Sequence, residues 1–393
     1  MLNRVIPLVL ILTVIGQVSM AEQRQPFEFR DGDRVVLLGG TMIERAQKYG
    51  ALEASMTAAF PNRQVSFRNL GWSGDTVFAE SRGIFDPPAV GYQRMTKQIA
   101  ELKPTLIFVG YGTNESFAGA SGLNRFTTQL NKLLNDLEKT KATIVLVSPH
   151  RHERMKSPLP DASKNNANLG LYTKAIQAIA QDHEYGFVDL YNTVVAADSK
   201  HSLTYNGIHF AKAGYQQMGR AWADELGLVQ PSAETIIVGN IVQKAGSASA
   251  TNLKTDGQTL SFDLKLNKLP SNGDWPKVRI DGLKSGKYTV AVGDQKVAEL
   301  TAKQLQTTGF NTGDGPDGKQ LADLREKIID KNLLYFHRWR PQNVTYLFGF
   351  RKHEQGNNAK EVAEFEPLVK KVEDVIAKLR QPIIHRFTIS PAK

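Results

Sequence analysis

The stretch R-V-V-L-L-G-G-T-M-I-E-R at 34–45 runs an unbroken apolar segment into two glycines and then a threonine. Successive rather than alternating apolar residues are what a strand buried on both faces requires. Gly39 and Gly40 end the run abruptly and deliver Thr41 to whatever follows. Thr41 can then be a nucleophile exposed at a strand end, or the cap of the next helix, with Glu44 completing a T-x-x-E capping box.

The same kind of run recurs downstream, as T-L-I-F-V at 105–109, T-I-V-L-V at 143–147 and F-V-D-L at 187–190, while V-S-F at 65–67 alternates as an edge strand does. Between the runs, the segments around 52–60, 92–102, 123–139, 166–183 and 211–228 carry apolar residues at helical spacing. Strands alternating with helices predict right-handed crossovers and a parallel sheet covered on both faces. In such sheets, sites form at the carboxyl ends of the strands.

After residue 230 the pattern changes. Short β-rich runs separated by T-D-G, S-N-G-D and S-G-K turns predict a β-rich module over 231–305. The remainder, 306–393, reads as a helical segment with helices near 319–334 and 358–379. Between these helices lies a stretch dense in aromatic and cationic side chains, including Trp339, Arg340, Tyr346, Phe348 and Phe350. It reads first as a packing surface between domains and second as a platform for sugar rings.

The first 21 residues place Arg4 before an apolar run that ends in small residues at Ser19 and Ala21, the pattern of a signal peptide cleaved after Ala21. The run is shorter than the roughly 20 residues that span a bilayer, so no integral membrane segment is expected after cleavage. Export to the periplasm or the exterior is the expectation. With no cysteine in 393 residues, disulfides, thiolate metal sites and cysteine nucleophiles are excluded. The formal charge is +10, with the greater part falling after Ser232. No basic run is dense enough for a nucleic-acid tract, and a solvated face or attraction to anionic polymers is the plainer reading.

Four strand-end blocks carry groups suited to chemistry: G-G-T at 39–41, S-G-D-T at 73–76, G-Y-G-T-N-E at 110–115 and Y-N-G-I-H-F at 205–210. In this order, over about residues 34–228, they resemble the SGNH (GDSL-type) hydrolase family. The resemblance implies a three-layer α/β/α, flavodoxin-like domain with a parallel sheet over 22–230. It also implies a site in which Thr41 stands at the nucleophile position and His209 at the general base. The oxyanion hole would consist of the Thr41 and Gly74 N–H groups and the Asn114 carboxamide. Acyl transfer needs such a set: an activated hydroxyl, a base, and donors aimed where negative charge develops.

Three positions depart from the family pattern. Thr41 replaces serine, Gly40 replaces the neighbouring aspartate, and Asn206 stands where an aspartate would hold the imidazole. A backbone carbonyl or another carboxylate, among them Glu354, Asp75 and Glu44, is a candidate to support His209 instead. H-R-H-E at 150–153 lacks the i, i+4 spacing of a helical metal site, so His150, His152 and Glu153 read as pocket lining or surface; no metal and no cofactor are expected. The resemblance implies a hydrolase of esters broadly; because export and the C-terminal module suit polymeric substrates, the expectation is a secreted hydrolase of O-acyl, above all O-acetyl, esters of carbohydrate, with a small molecule or a polysaccharide as substrate. The competing readings are a non-catalytic glycan-binding protein on the same fold and an O-acyltransferase.

Overall fold

The computed structural model describes residues 27–196, 201–228, 232–270, 273–354 and 358–392, so the expected signal peptide at 1–21 lies outside the described residues. The first half alternates strand and helix: β1 (Arg34–Gly39), α1 (Thr41–Ala46), α2 (Ala51–Ala59), β2 (Ser66–Asn69), α3 (Pro88–Glu101), β3 (Leu106–Gly110), α4 (Leu123–Glu138), β4 (Thr143–Val147), α5 (Ser163–Asp182), β5 (Gly186–Val188), α6 (Leu190–Thr193) and α7 (Lys212–Glu225). The five strands pair in the order β2-β1-β3-β4-β5, all parallel. Along β1, Val35 and Leu37 enter a core shared with α7, while Val36 and Leu38 enter the opposite core against α3, α4 and α5. Burial on both faces is why the run is apolar without alternation.

This order places a topological switch point between β1 and β3, where chain connections diverge and leave a crevice at the carboxyl ends of the strands. Gly39 and Gly110 are register partners there, and a Cβ on Gly39 would lie 2.4 Å from the Gly110 carbonyl oxygen. Glycine is required by that close approach.

The second half forms two further sheets from β6 (Thr235–Val238), β7 (Ile241–Lys244), β8 (Ala248–Asp256), β9 (Thr259–Leu266), β10 (Lys277–Asp281), β11 (Lys287–Val292), β12 (Gln295–Thr301), β13 (Phe310–Asn311) and β14 (His385–Pro391). One runs β13-β10-β6-β7 and the other β12-β11-β14-β9-β8. The helices are α8 (Ala302–Thr307), α9 (Pro316–Trp339), α10 (Val344–Leu347) and α11 (Phe365–Leu379). The expectation of a purely helical segment after 306 needs correction, since β14 inserts between β11 and β9 as a central strand. Its Phe387 and Ile389 alternate into the core, a period-2 signal carried by only two apolar residues.

The two halves share apolar surface. Helix α2 turns Leu52 and Met56 to the first core, and Ala54 and Ala58 to a core built from β-strands and the α9 residues Leu324 and Ile328. Buried Lys331 of α9 reaches the Glu53 carboxylate of α2 at 2.8 Å and the Phe67 carbonyl of β2 at 3.1 Å. Burial raises the Glu53 pKa and lowers that of Lys331. Desolvation thus opposes the attraction of the pair, which makes it a device for position more than for stability. The 24 residues of α9 extend about 36 Å, far enough to bring its last turn to the edge of the switch-point crevice.

Candidate active site

Helix α1 starts one residue beyond Gly40, whose lack of a side chain leaves its end uncapped. The T-x-x-E capping box expected of Thr41 and Glu44 does not form. Glu44 accepts instead from the Ser73 N–H and from Arg340 Nη1, the latter at 3.1 Å. Thr41 Oγ1 accepts the Gly74 N–H at 2.9 Å. The hydroxyl is thus turned toward the loop after β2 and away from its own helix.

Gly74 holds φ +75, a left-handed backbone that a residue with a Cβ adopts only with strain. The next residue, Asp75, anchors the loop: its carboxylate accepts from Arg82 Nε at 2.6 Å and from the Tyr111 hydroxyl at 3.0 Å, all three side chains buried. Its backbone carbonyl accepts from Asn114 Nδ2 at 2.9 Å. An amide NH2 carries two protons, so this contact orients the carboxamide and leaves one N–H for a ligand. Glu115 supports the same turn by accepting from the Val77 and Gly112 N–H groups at 2.8 and 2.9 Å. Burial pushes its carboxyl up to about 7.

His209 sits on a tight loop closed by a bridge between Thr204 and Phe210. Asn206 Oδ1 accepts the N–H groups of His209 at 2.8 Å and Ile208 at 3.2 Å. Those two donors fix which way the amide faces, so Nδ2 lies 3.0 Å from His209 Nδ1, while Oδ1 is farther, at 3.3 Å. An NH2 donor there meets the lone pair of Nδ1, so the neutral imidazole carries its proton on Nε2. The three carboxylates considered as alternative supports are engaged elsewhere: Asp75 with Arg82, Glu44 with Arg340, and Glu354 with Arg351. Burial, and then the Arg45 charge, lower the His209 pKa from its ordinary value.

Two residues that the sequence marked only as lining or surface position this loop. The Glu153 carboxylate accepts the N–H groups of Leu203 and Thr204, each at 2.8 Å, and the Ser202 hydroxyl at 2.7 Å. The Glu153 N–H in turn donates to the Gly207 carbonyl at 2.8 Å. His150, only 2% exposed, has Nε2 2.7 Å from the Ile208 carbonyl. The available signal was the position of H-R-H-E just past β4, at the same sheet edge as the other blocks.

Thr41, Asn114, His150 and His209 line one cavity of about 40 Å³ with Glu115 and Tyr111, the space of about three waters. Among the described residues, Thr41 and His209 make no hydrogen bond to each other, and no three metal-ligating side chains gather.

Burial also pushes the His150 and His152 imidazoles down to about 4. Unfolding returns each to about 6.5, so between pH 6.5 and 4 the unfolded chain binds the extra proton and stability falls as pH falls. For enclosed His150 the loss is on the order of 3 kcal/mol. Glu115 opposes it, because a carboxyl with a raised pKa binds its proton first in the folded state. A His150→Gln variant is expected to lose less stability than the parent between pH 6.5 and 4.5 in denaturant titrations. Equal losses would mean that the folded imidazole is not held neutral.

The GDSL-like lipase/acylhydrolase family matches residues 20–217, half of the chain, and the protein belongs to this family of hydrolases acting on esters. No curated protein sequence matches it significantly. Among solved structures, a gut microbial diltiazem-metabolizing enzyme is 17% identical and superposes over 93% of this chain and 99% of its own, with a TM-score of 0.72. That likeness extends the shared fold through the C-terminal region. An acetylxylan esterase from Geobacillus stearothermophilus, in a catalytic mutant form, is 17% identical over 52% of this chain and 99% of its own, with a TM-score of 0.42. A putative GDSL-like lipase from Parabacteroides merdae is 18% identical over 52% of this chain and 100% of its own, with a TM-score of 0.43.

Proposed function

We propose that the protein is an exported esterase that removes short acyl groups, above all acetyl, from carbohydrate, with Thr41 as nucleophile. The observation that supports this most is the Thr41 hydroxyl in one small cavity with Asn114 and His209, its oxygen 2.9 Å from the Gly74 amide. Thr41 Oγ1 attacks the acyl carbonyl while its proton passes to His209 Nε2. For that step the imidazole must first shift its proton to Nδ1, facing the Asn206 Oδ1 at 3.3 Å. As Oγ1 bonds the carbonyl carbon, the Gly74 N–H leaves it for the oxyanion, which also accepts from the Thr41 N–H and from the free Nδ2 proton of Asn114. On collapse, the carbon–oxygen bond to the alcohol breaks and His209 returns the proton to the departing oxygen. Water then attacks the acyl-threonine with His209 again taking the proton, which releases the acid.

The size of the cavity argues for a short acyl group, since about 40 Å³, the space of about three waters, matches the three heavy atoms of an acetyl group. Forcing extra methylenes into a packed site costs about 1–3 kcal/mol. Turnover of 4-nitrophenyl acetate is expected to exceed that of the octanoate by about tenfold or more in kcat/KM, with acetate released from acetylated polysaccharide. Equal rates along the chain-length series would remove the argument for acetyl.

A further inference from the structure

A groove of about 1090 Å³ runs along the surface between α3 and α4. Six cations line it, Arg34, Lys97, Lys103, Arg125, Lys132 and Lys139, against two carboxylates, Glu80 and Asp136. Residues 1–232 hold 24 Lys and Arg against 21 Asp and Glu, a surplus of three. The groove alone has a surplus of four, so the rest of that part is slightly acidic and its positive charge is gathered here. Arg125, Lys132 and Lys139, the last at the end of α4, recur every seven residues and form one stripe about 21 Å long.

The carboxylates present do not neutralise this stripe. Asp136 is shared by Lys139 at 2.6 Å, Lys132 at 3.7 Å and the Tyr92 hydroxyl at 2.8 Å, and Glu80 accepts from the Thr76 hydroxyl at 2.9 Å. Lys97 has Glu101 at 3.9 Å, an exposed pair of the kind that contributes little. Arg34 Nε donates to the Lys103 carbonyl at 2.5 Å, and neither side chain, nor that of Arg125, meets a carboxylate among the described residues. Arg125 lies 4.3 Å from the Phe78 ring centre and Lys132 3.9 Å from that of Tyr92. Aromatic faces thus place these two cations without cancelling their charge.

The shape of the groove selects among polyanions. About 1090 Å³ spread over about 21 Å leaves a mean cross-section of about 50 Å², room for one polymer strand and not for a duplex. A channel of that form suits a strand better than a flat lipid surface. One end abuts the candidate active site: Phe78 and Glu80 follow Gly74 on the same loop, and Gln129 of α4 donates to the Val77 carbonyl at 3.2 Å.

We infer that this groove binds a single strand of an anionic polysaccharide, its uronate carboxylates meeting the cations of α3 and α4, and so holds the polymer beside the oxyanion loop. That the polyanion is a carbohydrate rests on the esterase reading above; that it is anionic and single-stranded rests on the groove.

The test is fluorescence anisotropy with the full-length protein and labelled decagalacturonate, a neutral dextran of equal length and single-stranded oligothymidylate. Saturable binding of the uronate and none of the dextran are expected at low salt, with loss at about 1 M salt, where charges are screened beyond about 3 Å. Arg125→Gln, Lys132→Gln and Lys139→Gln together weaken uronate binding about tenfold. The same change at Lys254, Lys265 and Lys287, exposed cations outside the groove, removes equal charge and leaves binding within about twofold. Thermal unfolding checks that both variants are folded, and none of the six residues belongs to the cavity that holds Thr41 and His209. No binding of the uronate, equal binding of the dextran, equal losses in the two triple variants, or tighter binding of oligothymidylate would overturn the assignment. Failure of the parent protein on 4-nitrophenyl acetate would instead count against the esterase reading, because uronate binding is measured without catalysis.

Discussion

Replacing Asn206 by aspartate is expected to raise kcat/KM for 4-nitrophenyl acetate by about 10²- to 10⁴-fold. In serine proteases the reverse change, aspartate to asparagine at the corresponding role, costs about 10⁴ in turnover because the imidazole is held in the wrong tautomer. Here the amide orientation is pinned by the His209 and Ile208 N–H groups on Oδ1, which puts a donor against Nδ1. An aspartate keeps those two bonds with one oxygen and presents the other where Nδ2 now lies, 3.0 Å from Nδ1. Nδ1 then carries the proton, and Nε2 is free to accept one. The pH profile supplies a second readout. In the parent, burial and Arg45 lower the His209 pKa, so the acid limb of kcat/KM lies below the ordinary histidine value. The new carboxylate favours the protonated imidazole, so the limb moves to higher pH. A folded variant with an unchanged rate and an unmoved limb would remove His209 from the proton path.

Removing the hydroxyl tests the other half of the mechanism. Thr41→Ala is expected to lower kcat by about 10²-fold or more, down to what the oxyanion donors achieve alone, while Thr41→Ser retains the parent rate or exceeds it. The serine variant keeps the oxygen that the Gly74 N–H meets at 2.9 Å and sheds the methyl that restricts rotation about the first side-chain torsion. Parent-like activity in the alanine variant would rule Thr41 out as nucleophile. Thr41→Ala is not expected to disturb folding, because this hydroxyl caps no helix.

Strands β1, β3 and β4 were legible because each is buried on both faces, which leaves a continuous apolar run, and the edge strand β2 because it alternates. Strand β14 was not, since its place between β9 and β11 depends on pairing with residues more than 90 positions away. The role of Glu153 was hidden for the same reason: its carboxylate orders Ser202, Leu203 and Thr204 across about 50 residues. Thr41 and Glu44 had the spacing of a capping box, and a partner from each side took them away. The Gly74 N–H engaged the hydroxyl, and Arg340 with the Ser73 N–H engaged the carboxylate.

From the sequence alone came the alternation of strand and helix, the order of the four strand-end blocks, and the residue types at them. These are properties of local pattern, and a parallel sheet brings the carboxyl ends of its strands to one edge whatever the loops contain. Tertiary structure decided which atom of each residue faces which. It turned the Thr41 hydroxyl toward Gly74, pinned the Asn206 amide so that its nitrogen meets His209, and carried Trp339 and Arg340 on a long helix to the rim of the crevice. Hydrogen-bond direction and reach are settled by groups distant in the chain, and no periodicity records them.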